Sequence, residues 1–158
     1  MNEGLPERSR IVAQHLQEAG VQTEIVLLPD SARTAPEAAA AIGCDVAAIA
    51  NSLVFLADDF PVLVLTSGGH RVDLDVLARQ LGAATVTMAP AGVVRAVTGQ
   101  AIGGVAPVGH PAPIPTYIDE ALEAHREIWA AAGHPHTVMP LTFSSLLALT
   151  GGRVLSVV

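Results

Sequence analysis

Lysine is missing from this chain of 158 residues: its eight basic residues are all arginine, against fifteen acidic ones, for a net charge of −7. That balance excludes a nonspecific duplex-binding protein, which must neutralise many phosphates with Lys and Arg. No DNA partner is expected, although a grip on the short end of a nucleic acid is compatible with it. Cysteine is almost absent as well. Cys44 stands alone, which excludes an internal disulfide and a Cys-x-x-Cys site and fits a reduced, cytoplasmic protein. With three Phe, one Trp and one Tyr, a core has to come from Ala, Val, Leu and Ile. The longest apolar run, near Phe60 to Leu65, falls far short of the roughly 20 residues that span a bilayer, so no membrane partner is expected. The start, Met1 to Arg10, is polar and lacks the apolar centre of a signal peptide.

What is present is 51% hydrophobic and 15% charged, enough to bury a substantial core in one domain covering residues 1–158. Ile11, Val12, His15, Leu16 and Ala19 recur at helical spacing, with Gly20 as a stop. Val21 to Leu28 alternates roughly as a strand. Thr34-Ala-Pro-Glu37 reads as a capping box that opens a helix ending at Gly43. Ser52–Leu56 and Pro61–Thr66 read as a hairpin turning at Asp58-Asp59-Phe60. Asp73 caps a helix to Leu81, Thr85–Met88 is a short strand, and Pro90–Val97 is a short helix. The pattern over Tyr117–Ala132 fits either a helix capped by Asp119 or a strand over Glu127–Ala132. Thr142 caps a helix to Leu149, and Arg153–Val158 closes the chain as a strand. Interleaved helices and strands with an antiparallel hairpin predict a mixed sheet with helices packed on it, an α/β or α+β-like fold.

The segment Thr98-Gly-Gln-Ala-Ile-Gly-Gly-Val-Ala-Pro-Val-Gly-His110 packs four glycines and a proline around apolar residues. Glycine removes the Cβ that would keep a ligand from the backbone. The same segment also reads as a tight turn between two core strands.

Several stretches in this order carry a resemblance: Ala50-Asn-Ser-Leu-Val-Phe55, Thr66-Ser-Gly-Gly-His-Arg-Val-Asp73, Val94-Arg-Ala-Val-Thr-Gly99, Ile102-Gly-Gly-Val-Ala-Pro-Val-Gly-His110, Ile118-Asp119, Trp129-Ala-Ala-Ala-Gly133 and His136. Spread over Thr34 to Val158, they make the chain similar to the YbaK/EbsC family of prolyl-tRNA editing-type deacylases. The resemblance implies a mixed, partly barrel-like sheet flanked by helices. It implies a freestanding hydrolase of the ester that joins a wrong amino acid to the 3′ end of a tRNA, a translation-fidelity activity. It implies that Gly103, Gly104 and Val105, within the Gly-x-x-x-Pro loop ending at Pro107, present backbone amides to the aminoacyl group. Such donors stabilise the oxyanion of ester hydrolysis, and Pro107 stiffens the loop. The implied partners are the aminoacyl-tRNA 3′ end and an aminoacyl-tRNA synthetase.

One position departs from the family. Where the pattern has a lysine before Ser-Leu-Val-Phe, this chain has Asn51, which donates hydrogen bonds without charge. The implied role of that position is to hold the terminal nucleotide. The departure keeps open a non-catalytic protein that binds a ligand or a synthetase, and a hydrolase of another small ester or thioester.

Arg33, Arg71 and Arg95 are candidate replacements for the missing cation, although each taken singly is also explained as a solvated arginine or one paired with Asp73. Thr34 matches a family position near the pocket and is also explained by capping. Gly109 and His110 close the glycine loop, and His110 is the histidine expected to line the pocket. Asp119 is a candidate pocket acid or a turn cap. His70, His134 and His136 lie at no recognised ligand spacing, so neither a metal nor a cofactor is expected. Cys44, Trp129 and Phe143 are expected to be core residues.

Overall fold

The computed structural model describes residues 4–158; Met1, Asn2 and Glu3 of the polar start lie outside them. Its order is α1 (Glu7–Glu18), β1 (Val26–Leu27), α2 (Ala35–Ile42), β2 (Ile49–Ala57), β3 (Phe60–Ser67), α3 (Leu74–Leu81), β4 (Val86–Met88), α4 (Ala91–Thr98), β5 (Thr116–Asp119), β6 (Ile128–Ala131), β7 (Thr137–Leu141), α5 (Phe143–Thr150) and β8 (Arg153–Leu155). Single 3₁₀ turns cover Val46–Ala48 and Glu120–Ala124. The strands form one eight-stranded sheet in the order β1-β7-β6-β2-β3-β5-β8, with β4 paired to β2 off this path. Pairing is parallel for β2–β6, β3–β5 and β5–β8 and antiparallel elsewhere. The expected mixed sheet flanked by helices is the fold observed.

Local chemistry explains most boundaries. The Thr34–Glu37 capping box forms, and α2 ends on Gly43 at φ +83°. Asp73 accepts the amides of Asp75 and Val76 to start α3, and Thr142 accepts that of Ser145 to start α5. The hairpin turns on two residues, Asp58 (φ +48°) and Asp59 (φ +71°), while Phe60 already pairs with Ala57. Two aspartates in the left-handed region suit the right-handed twist of the flanking strands.

Three expectations change. The strand over Val21–Leu28 shrinks to Val26–Leu27, because only those residues meet β7. The Tyr117–Ala132 ambiguity resolves into strand, 3₁₀ turn and strand. Thr137–Leu141, left unassigned by its pattern, is β7 and pairs with β6.

Side chains alternate across the sheet as the strand period demands. On β3, Leu63 and Leu65 enter a cluster with Val12, Leu16, Ala50, Val54 and Val105. Val62 and Val64 point the other way, toward Phe55, Leu77 and Leu155. A third cluster seats the alanines of α2 against Ile49 and Val138. Trp129 and Phe143 pack partly buried at the core margins. Cys44 lies half-buried beside them, and burial, with Asp45 second, pushes its thiol pKa upward. The thiol therefore stays protonated and a poor nucleophile.

Candidate active site

β2 changes partners along one flank, and that change makes the cleft. Its start, Ile49 and Ala50, pairs with β6; its end, Phe55 to Ala57, pairs with β4. Between them Asn51, Ser52 and Leu53 have no strand beside them on that flank. A cleft of about 350 Å³ opens there. Its floor is the β2 edge, one wall is the start of α2, and the other is the glycine loop with Ile102, Gly103 and Val105. Trp129, Ala130 and Ala131 of β6 close one end, and Met88 and Ala89 close the other.

The glycine loop is held from behind by Gln100, a residue sequence reasoning passed over. It is 2% exposed. Its Oε1 accepts the Ala106 amide at 2.7 Å, and its Nε2 donates to the Val108 carbonyl at 3.2 Å. The Thr98 hydroxyl accepts the Gln100 amide, so one buried amide side chain fixes both limbs of the loop. Its only sequence signal is a polar residue amid apolar and glycine neighbours.

Within the loop, Gly103 adopts φ +90°, and a Cβ there would lie 3.0 Å from Arg33 Cβ. A Cβ on Gly104 would lie 2.7 Å from the His134 carbonyl carbon, so this glycine lets the loop press on the His134–Pro135 backbone. The Gly104 amide donates to Ala101 and the Ala106 amide to Gln100. Among the described residues, the amides of Gly103 and Val105 donate to no protein acceptor. Both residues line the cleft.

Two polar groups on the floor are also open. The Ser52 hydroxyl is buried without a hydrogen-bond partner. It shares a face with Ala50 and Val54 and so points to the loop side. The Asn51 side-chain amide, on the opposite face, makes no hydrogen bond among the described residues; the Asn51 backbone pairs with Thr66, whose hydroxyl donates to the Asn51 backbone carbonyl at 3.4 Å.

Of the residues expected in the site, Thr34, Asn51, Gly103 and Val105 line the cleft, together with Arg33. The Thr34 hydroxyl and amide are both committed to Glu37. The others are elsewhere. Gly104 is buried behind the loop and Pro107 is buried beside it. Gly109 (φ +88°) packs against Val12. His110 does not line the cleft: its Nε2 donates to the Ala106 carbonyl at 2.9 Å, and burial holds its pKa below the ordinary 6.5. Arg71 and Arg95 are exposed and line no part of the cleft.

Of the two readings of Asp119, the turn cap is the one its contacts match. It is fully buried and accepts the Ser67 amide at 3.0 Å, His70 Nδ1 at 2.7 Å and the Ala121 amide at 3.0 Å. Its oxygens are used in tying the end of β3 to β5. His134 sits behind the loop. Burial first, then His136 and Arg33, hold its pKa below 6.5, and its Nδ1 accepts the His136 amide. Among the described residues no three His, Cys, Asp or Glu side chains converge as a metal site would require, and no helix is long and apolar enough to cross a membrane.

The cleft at the β2 edge is mostly apolar and is bordered by the glycine loop. Residues 29–149 match the family model of the aminoacyl-tRNA editing domain, and the chain belongs to that family. A solved structure described as "a putative trans-editing enzyme for prolyl tRNA synthetase" is 43% identical, with a TM-score of 0.90 over 97% of this chain and 98% of that one. The "Putative Cys-tRNA(Pro)/Cys-tRNA(Cys) deacylase EbsC" of Enterococcus faecalis is 31% identical over 59% of this chain, a match that spans 57% of that protein's length. A "Proline--tRNA ligase" of Lysinibacillus sphaericus is 30% identical over 80% of this chain and 22% of its own length.

Proposed function

We propose that this chain hydrolyses the ester between a mischarged amino acid and the 3′ end of a proline-type tRNA. The observation that carries the reading is that Gly103 and Val105, whose amides have no acceptor among the described residues, line an apolar cleft in a member of an editing-domain family. Water adds to the ester carbonyl, the oxygen becomes an oxyanion, and the two amides hold it. The carbon–oxygen bond to the ribose then breaks, and the ribose oxygen takes a proton. The neighbouring 2′-hydroxyl of the tRNA is placed to relay that proton. The relationship to a prolyl-tRNA ligase and to a trans-editing enzyme supports a synthetase as partner and the cytoplasm as location.

Deacylation of Cys-, Ala- and Ser-tRNA charged on tRNA for proline tests this, with wild type beside Gly103→Val. Valine at φ +90° is strained, and its Cβ meets Arg33. Loss of one oxyanion donor costs about 10²–10³ in kcat, so the variant should fall by at least about a hundredfold. No hydrolysis above the spontaneous rate on any substrate sinks the reading.

Asn51 favours a second reading, a ligand- or synthetase-binding protein, because it carries no charge at the position where the family resemblance implies a lysine. Asn51→Lys separates the two. A large gain in hydrolysis marks a site weakened by the missing charge; no gain marks a pocket rebuilt for another task.

A further inference from the structure

The cleft inverts the electrostatics of the chain around it. Fifteen acidic residues give the protein a net charge of −7, yet no aspartate or glutamate lines the cleft, and Arg33 is its one charged lining residue. Among the described residues the single ion pair joins His70 and Asp119, so no described carboxylate oxygen lies within 4 Å of the Arg33 guanidinium. The root of Arg33 is fixed on both sides. The Ala32 amide donates to the Pro135 carbonyl at 2.7 Å, and Thr34 caps α2. Its stem lies on Gly103, whose absent Cβ would fall 3.0–3.1 Å from Arg33 Cβ, Cα and Cγ. The side chain itself is exposed at the cleft mouth. A cation is therefore anchored against Gly103, a glycine of the cleft wall whose amide has no acceptor among the described residues.

We propose that Arg33 is the anion contact of this site and binds the 5′ phosphate of the substrate's terminal nucleoside. The assignment of that phosphate to a tRNA end rests on the function proposed above. A guanidinium offers a planar pair of donors that matches phosphate oxygens. In an acidic protein, a cleft lined by one cation and no carboxylate is where an anionic end is attracted and not repelled. Asn51 on the floor supplies only neutral donors, so the charge-assisted part of recognition falls to Arg33.

Titration of the intact protein with 5′-AMP and with adenosine, followed by NMR shifts, reads this contact without any catalysis. Wild type should bind AMP about tenfold more tightly than adenosine, the value of one charge-assisted contact, and added salt should shrink the difference. Arg33→Gln keeps Cβ and Cγ on Gly103 and should abolish the preference with an unchanged Tm; Arg33→Lys should restore part of it. Equal binding of the two ligands, binding of neither, or a preference that survives Arg33→Gln overturns the proposal. The aminoacyl-tRNA panel is scored separately. An Arg33-dependent AMP preference without deacylation condemns the deacylase reading alone, whereas deacylation without that preference condemns the Arg33 contact alone.

Discussion

At the end of β3, Asp119 spends its oxygens on the amides of Ser67 and Ala121 and on His70. Ser67 in turn donates its hydroxyl to the Ala47 carbonyl. In the cleft the account is the opposite: among the described residues the amides of Gly103 and Val105, the Ser52 hydroxyl and the Asn51 amide are all without protein partners. Residue type would have ranked these two regions the other way round, since aspartate and histidine are the usual catalytic groups. Hydrogen-bond satisfaction ranks them better. A buried group whose valences are filled by its own chain is scaffold, and one left open in a cavity awaits a ligand.

Asp119→Ala tests the scaffold side with the largest expected effect. It strands the buried Ser67 amide and the part-buried Ala121 amide, at about 1–3 kcal/mol each, and should lower Tm by about 4–24 °C at about 2–4 °C per kcal/mol. The kcat/KM of the surviving folded protein should change less than about twofold. A collapse of activity at unchanged Tm would return Asp119 to the site and break the contrast.

Gln100→Ala sharpens the contrast, because Gln100 joins scaffold to site. It should cost about 1–3 kcal/mol by orphaning the Ala106 amide and Val108 carbonyl. It should also lower kcat by about tenfold while leaving KM nearly fixed, as the loop amides drift from the oxyanion position. Steady-state kinetics beside thermal unfolding separates the two losses.

The smallest effect is a pH slope from His110. Its folded pKa is depressed, chiefly by burial. Above 6.5 both folded and unfolded states hold it neutral, and its contribution is fully present. As pH falls below 6.5 the unfolded chain takes up the proton first, so stability drops until the folded pKa is passed. Denaturant titrations across this window should show that slope, and His110→Gln should flatten it.

Local signals were readable in advance. The Thr34–Glu37 box and the Asp58-Asp59 turn need only residues within one turn of chain, so their chemistry is visible in a few letters. Elements defined by distant partners were not. Val21–Leu28 looks like a strand throughout, but only two of its residues find β7, more than a hundred positions later. Thr137–Leu141 carries Pro140, which weakens any strand reading until Trp129 is seen opposite it. The glycine loop announced itself by composition, whereas Gln100 and Ser52 acquire meaning only once the loop and β2 are folded together, and only the fold separates Arg33 from Arg71 and Arg95. His110 ended the right loop and faced the wrong way, because a turn of backbone decides which side a residue serves.

The exchange of β6 for β4 along one flank of β2 carries an evolutionary consequence. A floor made of strand backbone keeps its shape whatever side chains hang from it, so residues 51–53 can be rewritten without demolishing the chamber. Substitution at Asn51 then leaves that floor in place, whereas intolerance to mutation concentrates at Gly103, held at φ +90°, and at Gly104, where a methyl group would meet backbone at 2.7 Å.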